Sequence, residues 1–522
     1  MQILFNGRLH ACSPGDTALA IHNGLIAAVG SDAEVLRLQA PGVDSIDLGG
    51  RYVLPGLTDS HLHLDIYGKS LTGLDCAVPN REACLESVKT RAQDTPAGHW
   101  ILGHGWNQNQ WSGGFGTFSE LDAAAPNHPV FLTDISLHSA WVNSKALQQA
   151  GIVASTPDPA GGTIQRDANG KPTGILFEGA VELVEKSIPE LTTAERKHNL
   201  LAAQQHLLRL GITSVHDFDG IRCFNALQEL DQEGSLLLRV TKSLPLDWLT
   251  EAVAIGLRTD FGSQHLRVGS MKLFADGALG PQTAAMLDHY EGSRENFGKL
   301  LLTADEILDV GMQAAKSGLS LAVHAIGDRA TQEALHGLVR LRAYENQHHL
   351  PELRHRIEHL QLLCPGDLEI ASRYRIWASM QPVHLYMDMH TADRHWGKRA
   401  RYAYAVGSLK SRQTCMVFGS DAPVENPNPA WGIHAAVTRS AQGSENSWYP
   451  EEKIALTDAI KAYTTEPSRL AGFQNKLGEL RTSCLADLVV LDRDPFQMPP
   501  QELYTLKSLM VMVDGNWVCR TI

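Results

Sequence analysis

Units in which a helix is followed at once by an apolar strand recur through the middle of this chain, and that alternation restricts the fold more than any other feature of the sequence. Thr192 to Leu210 reads as a helix, with Thr192 and Glu195 spaced as a capping box and Gly211 as its stop, and the strand Ile212 to Val215 follows directly. Thr303 and Glu306 repeat the pattern: a helix running toward Gly318, then a buried strand, Leu319 to Val323, leading into His324. Candidate strands are Leu57–Leu62, Ile212–His216, Leu238–Leu244, Leu266–Phe274, Leu319–His324, His355–Leu360, Ile376–Gln381 and Met416–Ser420. Eight strands in helix-linked order predict an α/β chain built on a (β/α)8 barrel, favoured over an open sheet. A long excursion between the first two strands, about 70–190, exceeds what a minimal barrel of about 250 residues needs and predicts an inserted subdomain.

Both ends read as β structure. Ala18–Ile21 and Leu25–Val29 flank His22-Asn23-Gly24, and Asn-Gly favours a hairpin because both turn residues take positive φ. Near the other end Asp487–Leu491 reads as a strand, while Ser508–Val513 and Trp517-Val518 flank Asp514-Gly515. Each end is too short to close a core alone, so segments 1–55 and 478–522 are expected to pair into one small β-sandwich, with 56–477 forming the barrel and its insertion. A length of 522 residues is consistent with one large domain carrying a smaller one.

With 45 basic and 58 acidic residues the formal charge is −13, which argues against a nucleic-acid partner, because phosphate binding draws on a basic surface. No window approaches the roughly 18 uninterrupted apolar residues of a membrane span, and Met1 to Gly7 lacks a basic stretch followed by an apolar one, so a cytoplasmic, unprocessed protein is expected. Eight cysteines are scattered without C-x-x-C spacing. Any metal must therefore be held by histidines and carboxylates.

Those residues gather at predicted strand ends. His61 and His63 lie two apart in an extended run and so leave the same face. His324, His359 and Asp421 each follow an apolar run, and catalytic groups of barrels come from the C-terminal ends of several strands. Four imidazoles and one carboxylate suit zinc and offer too few oxygens for calcium or magnesium. Lys272 lies inside the apolar strand Gly269-Ser270-Met271-Lys272-Leu273-Phe274, where an unpaired ammonium is costly. Two readings stay open for it: an ion pair with Asp276 or another carboxylate, or carbamylation, which makes the amine an anionic ligand with two oxygens.

The array Pro55-Gly56-Leu57-Thr58-Asp59-Ser60-His61-Leu62-His63, Lys272 within K-L-F-A-D-G-A-L-G, His324 in H-A-I-G-D-R-A, His359 in R-I-E-H-L and Asp421 in G-S-D-A-P-V resembles amidohydrolase family 3. This is the YtcJ-like branch of metal-dependent hydrolases that includes N-substituted formamide deformylases. The likeness runs nearly end to end, through Gly105-Trp106-Asn107, His138 to Asn143 and the closing Ala486 to Asp492. It implies two divalent ions, with His61, His63 and Asp421 on one, His324 and His359 on the other, and carbamylated Lys272 bridging. One departure is Thr482-Ser483, where such chains often carry glycine before the last A-D-L-V-V strand.

With that site, hydrolysis of a C–N bond in an amide, formamide or cyclic imide of a small molecule is expected, Asp421 serving as general base and then acid. Trp106 and His138 in the insertion, and His216 and His384 at strand ends, are weaker candidates for substrate contact, each weighed against simple packing. Trp111, Phe115 and Phe118 hint at an apolar substrate portion, while Gly113, Gly114 and Gly116 equally suit a mobile loop. A mononuclear deaminase or isomerase on the same scaffold is the alternative; a non-catalytic regulatory relative is disfavoured because all six ligand-type residues are present. A homodimer formed through the inserted segment is a further expectation.

Overall fold

Eight parallel strands form one sheet in sequence order: β1 (Leu57–Leu62), β2 (Ile212–Asp217), β3 (Arg239–Pro245), β4 (Leu266–Phe274), β5 (Leu321–Ala325), β6 (Arg356–His359), β7 (Trp377–Met380) and β8 (Met416–Phe418). The computed structural model describes residues 1–521 apart from 109, 110, 112, 136–138 and 160. The sheet curls into a barrel whose seam lies between β8 and β1. There the Asp421 N–H donates to the His61 carbonyl at 2.6 Å and the His63 N–H to Ala422 at 2.9 Å, beside a parallel bridge from Leu62 to Ala422. The Asp59 carboxylate pins the seam, accepting from the backbone N–H of His61 and Ser420, both at 3.1 Å, and from the Ser420 hydroxyl at 2.6 Å. A Cβ on Gly419 would lie 2.5 Å from the His61 nitrogen, so only glycine lets the two chains approach this closely.

The helices predicted to feed β2 and β5 form as read. Helix α1 (Thr193–Arg209) is preceded by reciprocal hydrogen bonds between Thr192 and Glu195, and α2 (Ala304–Lys316) by the same arrangement of Thr303 and Glu306. Gly211 and Gly318, at φ 87° and 76°, stand just beyond them.

The two chain ends meet. A four-stranded sheet of Leu25–Gly30, Ala18–His22, Gln2–Phe5 and Asp44–Asp47 faces a five-stranded one in which Tyr52–Pro55 pairs antiparallel with Leu488–Leu491, followed by Ser508–Val513 and Asn516–Arg520. Leu4, Leu19, Ile26 and Val53 share one buried core with Leu488, Val490, Met510 and Met512. Each such side chain contributes about 1.5–3 kcal/mol when buried, a gain neither end reaches alone. Asn23-Gly24 (φ 51° and 75°) and Asp514-Gly515 (48° and 73°) make the expected turns. Ser483, at φ 72°, holds the left-handed conformation that a glycine at this turn would adopt without strain.

Barrel and sandwich belong to one unit, Met1–Leu64 with Gln204–Ile522; Asp65–Ala203 is a second. The second unit is built on a six-stranded mixed sheet ordered Gly162–Arg166, Pro172–Glu178, Ser139–Val142, Val130–Asp134, Ile101–Trp106 and Leu74–Asp75, with Trp106, Leu132, Trp141 and Ile175 in its core. Among the described residues no helix is long and apolar enough to cross a membrane.

Arg239 at the start of β3 ties barrel to sandwich. Its guanidinium donates to both Asp487 oxygens, at 2.7 and 2.9 Å, and also to Asp514, and both Arg239 and Asp487 are buried. This gives the aspartate of A-D-L-V-V its role. Asp487→Asn leaves a buried guanidinium short of a charge, and a loss of about 3 kcal/mol in urea unfolding is expected; an unchanged midpoint would show that the link is dispensable.

Candidate metal centre

Side chains from the C-terminal ends of five strands, or just beyond them, converge at one mouth of the barrel. His61 sits near the end of β1, where its Nδ1–H donates to Glu358 Oε2 at 2.5 Å; His63 follows the strand and its Nδ1–H reaches Asp219 Oδ1 at 3.2 Å. With both Nδ1 atoms engaged by carboxylates, both Nε2 atoms turn toward Asp421, whose Oδ1 lies 3.4 Å from each. The rings form a continuous series: His63 to His61 at 5.9 Å between centroids, His61 to His359 at 4.9 Å, His359 to His324 at 4.5 Å. Phe218 stacks on His61 at 4.3 Å. Ligand atoms of His61, His359 and Asp421 all lie within 4.8 Å of one another.

Backbone strain concentrates here. His359 (φ 69°), Leu360 (43°) and Asp421 (61°) occupy the left-handed region, at about 1–3 kcal/mol each for a residue other than glycine. The seam hydrogen bond from Asp421 N–H to His61 sustains one of these conformations.

Lys272 points inward from β4, with Nζ 4.5 Å from the Phe218 ring centre and 4.9 Å from that of Phe274. No carboxylate among the described residues pairs with it. The Asp276 alternative is excluded because that carboxylate accepts the N–H groups of Ala285, Ile326 and Gly327 at 2.8–3.0 Å. Burial, reinforced by Arg356, brings the Lys272 amine down to about 8 against the pull of Glu358 and Asp421.

Charge states around it suit a cation. Burial and the neighbouring Lys272 push His324 down to about 3, and burial with His324 holds His359 well below the usual histidine range, so both imidazoles are neutral at pH 7. Despite burial, His61, His63 and His359 keep Asp421 well below the usual carboxylate range. For His63 burial is likewise outweighed, by Asp219 and Asp421, which raise it to about 10. His324 Nε2–H donates to the Gly277 carbonyl at 3.0 Å, which leaves Nδ1 as its lone-pair nitrogen. His359 Nδ1 is buried with no hydrogen-bond partner among the described residues, an orphan that a metal would satisfy. The donor set therefore fits divalent metal.

Of the weaker candidates, His384 comes nearest: its ring is 6.3 Å from His359 and its Nε2–H donates to the Ser420 carbonyl. His216 is turned into the barrel interior, its Nδ1 accepting from Arg356 at 2.7 Å. Trp106 is 1% exposed in the core of the second unit, donating to the Leu132 carbonyl with Trp111 and Phe115 against its ring. His216 and Trp106 are both buried in these contacts. His138 lies outside the described residues. Sequence reasoning missed Glu358 and its ion-pair partner Arg356, which also donates to Ser60 O and Ser379 Oγ, each at 2.6 Å. The available signal was two opposite charges spaced two apart in a short buried strand, both on its inner face.

A barrel with this cluster at the C-terminal ends of its strands defines the chain as a metal-dependent hydrolase of the barrel type. It belongs to the amidohydrolase family, whose profile matches residues 44–519. A solved structure described as an uncharacterized metal-dependent hydrolase from Pyrococcus furiosus is similar, with TM-score 0.80 and 32% identity over 95% of this chain and all of that one. Protein LONG AFTER FAR-RED 3 of Arabidopsis thaliana is 33% identical over 92% of this chain and 84% of its own length. N-substituted formamide deformylase of Arthrobacter pascens is 28% identical, over 95% and 94% respectively.

Because the fold disfavours a charged Lys272, the unfolded chain binds more protons between about pH 8 and 10.5, and metal-free stability rises with pH across that window. Below pH 8 the penalty is complete. Lys272→Met is expected to leave the chelator-treated protein at least as stable as the parent at pH 7 and to flatten this pH dependence, read by thermal unfolding; a destabilised variant would mean that the ammonium has a partner.

Proposed function

We propose that the protein hydrolyses a C–N bond of a small amide, formamide or cyclic imide at a centre of two divalent ions, zinc best suiting the donors. His61, His63 and Asp421 would hold one ion, His324 and His359 the other, and the carbamate of Lys272 both. The observation that carries this reading is Lys272: a buried amine with no acidic partner among the described residues, lowered to about 8 so that a fraction is free amine near neutrality, beside four imidazoles. Its neutral nitrogen can attack carbon dioxide, forming an N–C bond and releasing one proton, and the product supplies the anionic charge that the pocket otherwise lacks for a second cation. The similarity to the N-substituted formamide deformylase of Arthrobacter pascens supports the choice of bond.

When bound, the ions lower the pKa of water toward neutrality and polarise a carbonyl. The chain supplies the rest. Glu358 and Asp219 fix the His61 and His63 rings with Nε2 inward. Asp421, ionised and 9% exposed, is placed to take the proton of the attacking water and to return it to the departing nitrogen, which as an amide anion is a poor leaving group.

One observation favours a second reading, a single ion with deaminase or isomerase chemistry: His61, His359 and Asp421 form one compact group although the two-ion scheme divides them. Elemental analysis of protein purified without chelator separates the two. About two zinc ions per chain, falling by one or both in Lys272→Ala, is the expected result, together with turnover on a panel of formamides, amides and imides. One ion unaffected by Lys272→Ala moves the assignment to the mononuclear reading, and none at all to a non-catalytic one.

Asp421→Asn is expected to retain part of the metal and to lower kcat by about 10²–10⁴-fold, measured on whichever panel substrate turns over. Parent-like kcat would remove Asp421 from proton transfer.

A further inference from the structure

Behind His63 lies a second charged group, distinct from the converging ligands. Lys242, in the middle of β3, is wholly buried, and its Nζ sits 2.7 Å from Asp217 Oδ2 and donates to the backbone carbonyl of Asp219. Asp217 lies at the end of β2. Its Oδ1 accepts the N–H of Leu64, the residue after His63, at 2.7 Å; its Oδ2 faces the Asp219 N–H at 3.3 Å and the Cys223 thiol at 3.7 Å. Asp219 in turn holds the His63 ring. A single ammonium thus contacts both residues that fix the end of β1, Asp217 through the backbone of Leu64 and Asp219 through the imidazole of His63.

The oxygens of Asp217 and Asp219 and the Cys223 sulfur lie within 4.8 Å of one another, a grouping of the kind that binds cations. The Lys242 ammonium already meets that demand for positive charge. Burying such a pair is expensive, and an apolar pair of like volume commonly serves stability as well or better. The charge is explained if what it secures is geometry at the neighbouring centre.

We propose that Lys242 is a positioning residue for the metal centre, a built-in cation that orders Asp217 and Asp219 and thereby turns His63 Nε2 toward Asp421. This rests on the reading of His63 as a metal ligand. Direct contact between Lys242 and metal or substrate is not part of it.

The test is cobalt(II) titration of the chelator-treated full chain, read by d–d absorption, with thermal unfolding of the metal-free proteins alongside. Lys242→Met combined with Asp217→Asn removes both buried charges, so no unpaired ion remains, and the amide introduced by Asp217→Asn still accepts the Leu64 N–H. Metal-free melting within a few degrees of the parent is expected, with cobalt affinity about 10–100-fold weaker and an altered spectrum. Lys242→Gln with Asp217→Asn returns one N–H donor to the Asp219 carbonyl and is expected to recover part of the affinity. Parent-like affinity and spectrum in the methionine pair overturn the proposal. If that pair fails to fold, parent values in the glutamine pair overturn it as well. A parent chain that takes up no cobalt overturns the metal reading itself, an outcome visible before any variant is made.

Discussion

The ion pair of Arg356 and Glu358, closed off inside the barrel, is the contact on which the histidine array depends. Arg356 donates to the Ser60 carbonyl on β1, to Ser379 on β7 and to His216 on β2, while Glu358 takes the Nδ1–H of His61. One pair on β6 thereby tells three other strands where to stand. Its contribution to stability is small or negative, because two desolvated charges recover little more than their lost hydration. What it supplies is a tautomer and a direction: with Nδ1 given to Glu358, His61 has only Nε2 to offer. Burial would raise Glu358, yet Arg356 and His61 hold it far below the usual carboxylate range, so this anchor stays ionised across any working pH.

The barrel seam makes the second demand. A cylinder whose eighth strand is three residues long has little sheet hydrogen bonding with which to close, and closure passes to Asp59, Gly419 and the backbone bonds among His61, His63, Asp421 and Ala422. The residues that shut the barrel are therefore the candidate ligands themselves or their neighbours. The left-handed Asp421 belongs to this arrangement: its N–H closes the seam onto β1 while its carboxylate faces the imidazoles of His61 on that strand and His63 just beyond it. Strain at Asp421 is borne because fold closure and site geometry are served by one peptide.

Much of this could be read from the sequence, and what could not shares a physical cause. All eight barrel strands fall within two residues of their expected bounds, since long apolar runs behind capped helices are a local signal. The offset at β5 is instructive. Leu319 and Ser320 look like strand, but their N–H groups go to Ala314, at the end of α2, and to Thr259, so the ladder begins at Leu321. His61, His63, Lys272, His324, His359 and Asp421 were visible as polar residues at the ends of apolar runs. Glu358 and Asp219 were not, because their meaning lies in partners 297 and 156 positions away. Trp106 was ambiguous for the opposite reason: an aromatic cluster reads the same in sequence whether it lines a pocket or fills a core, and in the structure it lies in a buried cluster.

Charge balance connects the number of ions to the state of one amine. Facing the pocket are Asp421 and imidazoles, two of them held neutral, while His63 is driven to bind a proton by the carboxylates on either side of it. That proton marks where the polypeptide is short of positive charge. With Lys272 as a neutral amine, Asp421 is the carboxylate grouped with His61 and His359 on the side away from Glu358, and that compact three-residue group suits a single cation. Carbamylation, as proposed, would convert the same side chain from a basic nitrogen to an anion with two oxygens and add the negative charge that a second cation requires. Burial favours this chemistry in one specific way: by bringing the Lys272 amine down to about 8 it raises the fraction of free amine near neutrality, the form whose lone pair can react with carbon dioxide.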